Sequence, residues 1–460
     1  MTEKSETSEK LKNLECPFTW KLNEIYKIVK EHKESQTHDD ENLVPILKFM
    51  RLVVNIYESV LKEDFTKVHE WLKLAEQIFD EMKKDEDIQY ISLEVLENIL
   101  NGTKCHLEMQ LKNFKKVEES LKTIKKIDYS TNPKARSTLN GCKSLAWSKY
   151  KESGERGIRN AIDFASLAIR DNPKFAAWHF IQGINLRRQR KGPQYYSLPC
   201  KEEIEAFKKA YELSQKHIYG IRMALIYKEQ KDYPRALSIY EQIYNTNPQS
   251  CTIQLRLALG FIRSRGEREL LFAKKCLDFV EERSPEDCMY LHYRGVYLQS
   301  LRKFDEAADY YLKASKDFNY CAEMSFLRCK HKQKVNYDFI NHLQKMIEKY
   351  ESTDERRELD LLLHLAACFF ILNKDIPNAV KYYLKAFEKD PESDLFKKHP
   401  FILSSESINV YVFLKYTFFP AVEQERDLDF STKEACLKLK KYCDDDVLKV
   451  VKNLQGLKLF

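Results

Sequence analysis

Residues 224–248 read ALIYKEQKDYPRALSIYEQIYNTNP, and the spacing inside this stretch decides the fold. Ala224 and Tyr227 are followed, after a break, by Tyr233, Ala236, Tyr240 and Ile243. Steps of three and four residues place side chains on one face of a helix, and the break between Tyr227 and Tyr233 marks a turn between two helices. Pro248 cannot continue the second helix and stops it. The same order of small, aromatic and small residues returns in Gly295, Leu298, Phe304, Ala307, Tyr311 and Ala314. It returns again in Ala367, Phe370, Ile376, Ala379, Tyr383, Ala386 and Pro391.

Self-similarity at about 34 residues with this order is the tetratricopeptide pattern, a helical hairpin that buries its apolar face only by stacking on neighbours. Small residues let the two helices of a hairpin approach, and large ones fill the space between hairpins. Degenerate units occupy much of the remainder: Trp147 to Pro173, a unit opened by Gly183 with a long insertion at Gln189 to Cys200, and Leu255 to Pro285. Phe65/Val68 and Phe114/Val117/Leu121/Ile124 read as eroded units near the N-terminus. Lys330 to Glu358 reads as a connecting helix or pair, and Ser431 to Phe460 as two terminal helices, the second starting at Asp444-Asp445-Asp446. The expected fold is all-α. Its expected parts are an N-terminal helical region over 1–135, a central repeat region with a basic groove over 136–330, and a C-terminal region over 331–460.

Composition agrees. Only 11 Gly and 13 Pro in 460 residues exclude collagen-like, linker-rich and turn-dense all-β chains. The 12 cysteines include no C-x-x-C pair, which argues against a zinc ribbon and for thiols used as small apolar packing groups. Met1 to Glu15 is polar and charged, unlike a signal peptide, and the apolar stretch Leu361 to Leu372 is too short and too polar for a bilayer. A cytoplasmic location without membrane contact is therefore expected. A Gly-rich phosphate loop, a G-x-S-x-G and an H-E-x-x-H are all missing from the sequence. The expectation is a protein that binds and does not catalyse, with no cofactor and no metal.

What it binds is argued from charge. The net charge is only +7, so a basic site must come from sorting cations onto one face. The first helix of each hairpin lines the concave side, and its twelfth repeat position reads Lys151, Arg187, Lys228, Arg263 and Gln299 in successive units. Arg256 and His292 stand at the fifth position of neighbouring units, and Arg256 and Arg263 are seven residues apart, two helical turns. A single Lys or Arg on such a helix is ordinarily a solvated or ion-paired surface residue. A column of them in a concavity focuses positive potential and attracts a polyanion. Arg187-Arg188-Gln189-Arg190-Lys191 reads as a basic loop edge, and Tyr195 and Tyr196 in the same insertion as possible base-stacking rings.

The segment Leu14-Glu-Cys16-Pro-Phe18-Thr19-Trp20 resembles the Cys-x-Phe-Thr-Trp opening of the vertebrate interferon-induced proteins with tetratricopeptide repeats. The resemblance spans most of the chain and is weakest after about residue 395. It implies a right-handed superhelix around a central basic channel, and a cytoplasmic, interferon-induced effector of innate immunity. In that family several members bind single-stranded viral RNA by a 5′ triphosphate or under-methylated cap and block its translation. Trp147-x-x-x-Lys151 matches the family's phosphate-contacting lysine motif; Arg256 and Arg263 fall on its RNA-contacting arginines and His292 on a channel histidine. Asn185 stands where the family carries its central phosphate-binding arginine, and Arg187 replaces it only if the helix register shifts. Ile253, Leu257 and Gly260 replace tyrosines and a lysine, and Tyr293 replaces a glutamine.

The expected RNA-binding residues are thus Lys151, Arg187, Lys228, Arg256, Arg263 and His292. The expected partners are single-stranded RNA with a 5′ phosphate or cap, host or viral proteins, and further copies of the chain or its relatives. The alternative is an adaptor whose groove holds a peptide or helix without RNA, the commonest use of such repeats.

Overall fold

Small residues at helix crossings let this chain stack its hairpins. In the computed structural model, a Cβ at Gly295 would lie 2.7 Å from the Tyr311 ring, and one at Gly141 only 2.3 Å from the Trp178 indole. The structure describes residues 9–22, 44–149, 154–190, 198–264, 266–350, 355–404 and 406–455. Among these, helix dominates. The β-type pairing is an isolated bridge between His399 and Ile408.

Two compact units divide the chain at residues 1–260 and 261–460. The first is built of antiparallel helix pairs: α1 (Pro45–Leu61) with α2 (Val68–Met82), α3 (Leu93–Gln110) with α4 (Phe114–Thr123), and α5 (Pro133–Lys149) with α6 (Gly154–Asp171). Then follow α7 (Ala176–Arg190) with α8 (Lys201–Leu213), α9 (His217–Glu229) with α10 (Tyr233–Asn245), and the greater part of α11 (Cys251–Ser264). The eroded N-terminal units are genuine hairpins. Ile56, Val60, Val68 and Leu107 form one apolar cluster with Phe18 and Phe65, and Leu11, Cys105 and Val117 form another with Leu121 and Ile124.

The opening motif is a tight knuckle on this wall. Cys16 is fully buried, and the Thr19 hydroxyl donates to the Cys16 carbonyl at 2.9 Å. Phe18 stacks on His106 with centroids 4.7 Å apart.

The second unit continues with α12 (Glu267–Glu281), α13 (Cys288–Ser300), α14 (Phe304–Ser315), α15 (Tyr320–Gln333), α16 (Phe339–Tyr350), α17 (Glu355–Cys368) and α18 (Ile376–Lys389). After the short α19 (Val410–Phe413) and α20 (Phe419–Gln424) comes α21 (Phe430–Gln455). Caps mark the hairpins: the side chains of Asp232, Asp287 and Asp375 accept N–H groups of Arg235, Tyr290 and Asn378.

Within the off-register stretch 330–358, residues 330–333 end α15, Phe339–Tyr350 form the connecting helix α16, and Glu355 opens α17; the tail departs from expectation. The tail runs as one 26-residue helix through Asp444-Asp445-Asp446. Its buried stripe of Thr432, Cys436, Leu439 and Cys443 keeps helical spacing right up to the acidic triplet, so packing carries the helix past a local start signal.

Candidate nucleic-acid interface

In the unit of residues 1–260, α7 ends in Arg187, Arg188 and Arg190, and these are helical residues, not a loop edge. Arg187 meets Glu229, the last residue of α9, through both guanidinium Nη atoms, one of them at 3.2 Å. Arg190 donates Nε and Nη2 to Glu203 at 2.7 and 2.9 Å, and Nη2 also to Glu229 at 2.6 Å. Glu203, in the first turn of α8, is 0% exposed. The fork of a guanidinium suits a carboxylate bidentately, and a pair this buried holds only because every charge is matched.

Beside this network Arg222 projects from α9. Burial and the nearby Arg256 guanidinium pull its pKa down to about 10, with Glu229 opposing them. Arg256 is half-buried on α11, and Lys228 half-buried at the end of α9. Arg187 and Arg190 thus meet on Glu229, which also acts on Arg222, and Arg256 lies beside Arg222. Lys151, Tyr195 and Tyr196 lie outside the described residues.

Asn185 is wholly buried. It accepts from the Ser148 hydroxyl at 2.8 Å and donates to the Ile181 carbonyl at 2.9 Å, and Arg188 reaches the same Ser148 from above. These contacts hold Asn185 in its own place on α7, and no register shift puts Arg187 there. Ile253 and Leu257 are core residues, and Gly260 sits against the Tyr240 ring, where a Cβ would lie 2.7 Å away.

Next to Ser148, Trp147 helps form a cleft of 370 Å³ with Trp20, Glu15, Lys143, Lys12 and Lys21. Glu15 holds it together, accepting from the Trp20 indole N–H at 2.7 Å and pairing with Lys143 at 2.9 Å. The two indoles are 6 and 7% exposed and offer little more than edges.

In the second unit, Arg263 is exposed at the end of α11 and His292 half-buried on α13. Burial, helped by Arg263, drives His292 down to about 4. Its Nδ1 faces the Asn319 amide nitrogen at 3.2 Å. At neutral pH the ring is therefore an uncharged hydrogen-bonding group, not a cation. Gln299 is taken up internally, accepting from the Tyr311 hydroxyl at 2.6 Å.

Sequence reasoning missed Arg222 and both glutamates. Arg222 precedes Lys228 by six residues and falls outside the sampled column. Glu203 reads locally as one more acid at a helix start, because its partners lie 13 and 16 residues back.

One cluster has the residue types of a metal site. The ligating atoms of Asp360, His364 and His399 lie within 4.8 Å of one another. Asp360 accepts from His399 at 3.0 Å and from the Tyr320 hydroxyl at 2.5 Å. The Ile402 N–H donates to His364 Nδ1 at 3.4 Å, while the buried His364 Nε2 stands 3.6 Å from Asp360 without a hydrogen-bond partner among the described residues.

The tetratricopeptide repeat family profile matches residues 221–250. No curated protein matches the chain at a significant level. Among solved structures, the human IFIT1 dimer with m7Gppp-AAAA superposes with a TM-score of 0.63 at 14% identity, over 98% of this chain and 100% of that one. The human IFIT1 dimer with PPP-AAAA gives 0.63 at 13% identity over the same shares. An IFIT1 monomeric mutant with Gppp-AAAA gives 0.62 at 14% identity, over 95% of this chain and 98% of that one. At such identity the likeness speaks for fold alone. This chain is an all-helical protein with the tetratricopeptide fold.

Proposed function

We propose that the chain is a divergent member of the interferon-induced tetratricopeptide family, a cytoplasmic antiviral effector that binds single-stranded RNA by its 5′ end and blocks translation of that RNA. The observation that carries the reading is that Arg187 and Arg190 meet on Glu229, with Arg222 in the field of that carboxylate and Arg256 beside Arg222, from three successive first helices. Guanidinium groups converging from separate repeats are the chemistry of phosphate recognition. The Cys16–Trp20 motif and the fold shared with IFIT1 structures holding triphosphate and capped oligonucleotides support it. In this reading Arg187 and Arg256 take phosphates; Lys151, Lys228, Arg263 and His292 are the further candidate RNA contacts, His292 as a neutral hydrogen-bonding group. Recognition rests on charge and end shape, because this set contains few amides for base edges.

One observation favours the adaptor instead: Arg187 and Arg190 are already matched by Glu203 and Glu229. A binding assay separates the two. Arg256→Glu is expected to weaken 5′-triphosphate RNA binding by at least about tenfold, since it inverts a charge beside Arg222. Unchanged binding in that variant, with purified protein whose 260 to 280 nm absorbance ratio shows no co-purified nucleic acid, leaves only the adaptor.

A further inference from the structure

The two carboxylates in the arginine network are not equivalent. Glu203 is 0% exposed, is held by two bonds from Arg190, and sits in the first turn of α8, where the helix dipole favours an acid. Glu229 is 25% exposed and occupies the last position of α9, where the dipole disfavours one. Its placement there answers to the arginines and not to its helix.

We infer that Glu229 is a built-in stand-in for a terminal phosphate: its carboxylate occupies the seat between Arg187 and Arg190, and must turn away before the 5′ phosphate group of an RNA is held there. The inference rests on the RNA-binding reading and narrows it to terminal phosphate groups. A terminal phosphate carries up to two negative charges and three acceptor oxygens, so it outcompetes one carboxylate for the same donors. An internal phosphodiester, with one charge, gains little over Glu229, and a 5′ hydroxyl gains nothing.

The side chain is 25% exposed, so a rotation about its own bonds can turn it to solvent while the α9 backbone stays in place. With it gone, the remaining ion-pair contact of Arg187 among the described residues is Glu203 at 3.8 Å, while Arg190 stays anchored on Glu203. The seat is thereby emptied without releasing its frame. Glu229 acts as a specificity-determining residue that raises the charge an incoming ligand needs.

The test uses the full chain and two RNAs of one sequence, bearing a 5′ triphosphate or a 5′ hydroxyl, read by fluorescence anisotropy. Glu229→Gln is expected to tighten triphosphate RNA by at least about tenfold and to leave hydroxyl RNA within about threefold. Glu229→Asp, which keeps the charge on a shorter arm, is expected to give a smaller gain. It carries the test if circular dichroism shows the glutamine variant unfolded. Triphosphate binding no tighter in either variant overturns the inference while leaving RNA binding intact, as does equal tightening of both RNAs. If wild type and variants bind neither RNA, the functional reading falls, and inorganic pyrophosphate decides what remains. A melting temperature raised by pyrophosphate more in Glu229→Gln than in wild type upholds the anion seat, and no difference removes it.

Discussion

Single residues here are set by neighbours more than by their own chemistry. His292 shares its expected face with Arg256 and Arg263, and burial and Arg263 keep it neutral. A histidine held below its ordinary value binds fewer protons folded than unfolded. It therefore stabilises fully above about pH 6.5, and that contribution is lost as pH falls through its folded value near 4. An NMR titration of the imidazole should show one inflection near 4, and Arg263→Gln should move it part-way back toward 6.5. An inflection at the ordinary value would mean that the ring is solvated. The positions of Arg187, Arg256 and His292 on first helices were legible from repeat spacing. The identity of their partners was not, since Glu203 and Glu229 join Arg187 and Arg190 across 13 to 42 residues and three helices.

At the level of elements, the hairpin turns carry a cost visible only in the backbone. Glu63, Lys112, Lys231, Arg302 and Lys374 all adopt positive φ, between 55° and 65°, at the turn between the two helices of a hairpin. An L-residue with a Cβ is disfavoured there, and glycine is not. Lys112→Gly and Arg302→Gly lie away from the arginine network, and each should stabilise the protein by about 0.5–1 kcal/mol. A higher urea midpoint with an unchanged slope would confirm this; a lower one would show the side chain packing usefully. Turn positions were readable from the pattern, but a chain so poor in glycine hides which residue takes the left-handed conformation. The terminal helix taught the converse. Three aspartates made a sound local start signal, and the stripe ending at Leu439 and Cys443 overrode it.

For the molecule as a whole, repeat spacing sufficed for the fold because each hairpin's packing depends on neighbours close in sequence. Net charge of +7 over 460 residues is small, so RNA affinity must come from a few phosphate contacts and not from a general field. Log affinity should then fall against log salt with a slope of about −2 to −3, at roughly −0.7 per phosphate neutralised. Filter binding from low to moderate salt checks it, and a flat response would rule out phosphate contacts as the source of affinity. The cysteines follow from the same economy of packing. Burial drives the thiols of Cys16, Cys276 and Cys368 up to about 12, so maleimide chemistry at neutral pH passes them by. Two thiols, Cys200 and Cys321, stand at the surface, and Cys200 caps α8 by accepting the Glu203 N–H at 3.4 Å. Cys321 is left as the natural attachment point for a fluorophore, one that reports on the protein in solution without an engineered handle.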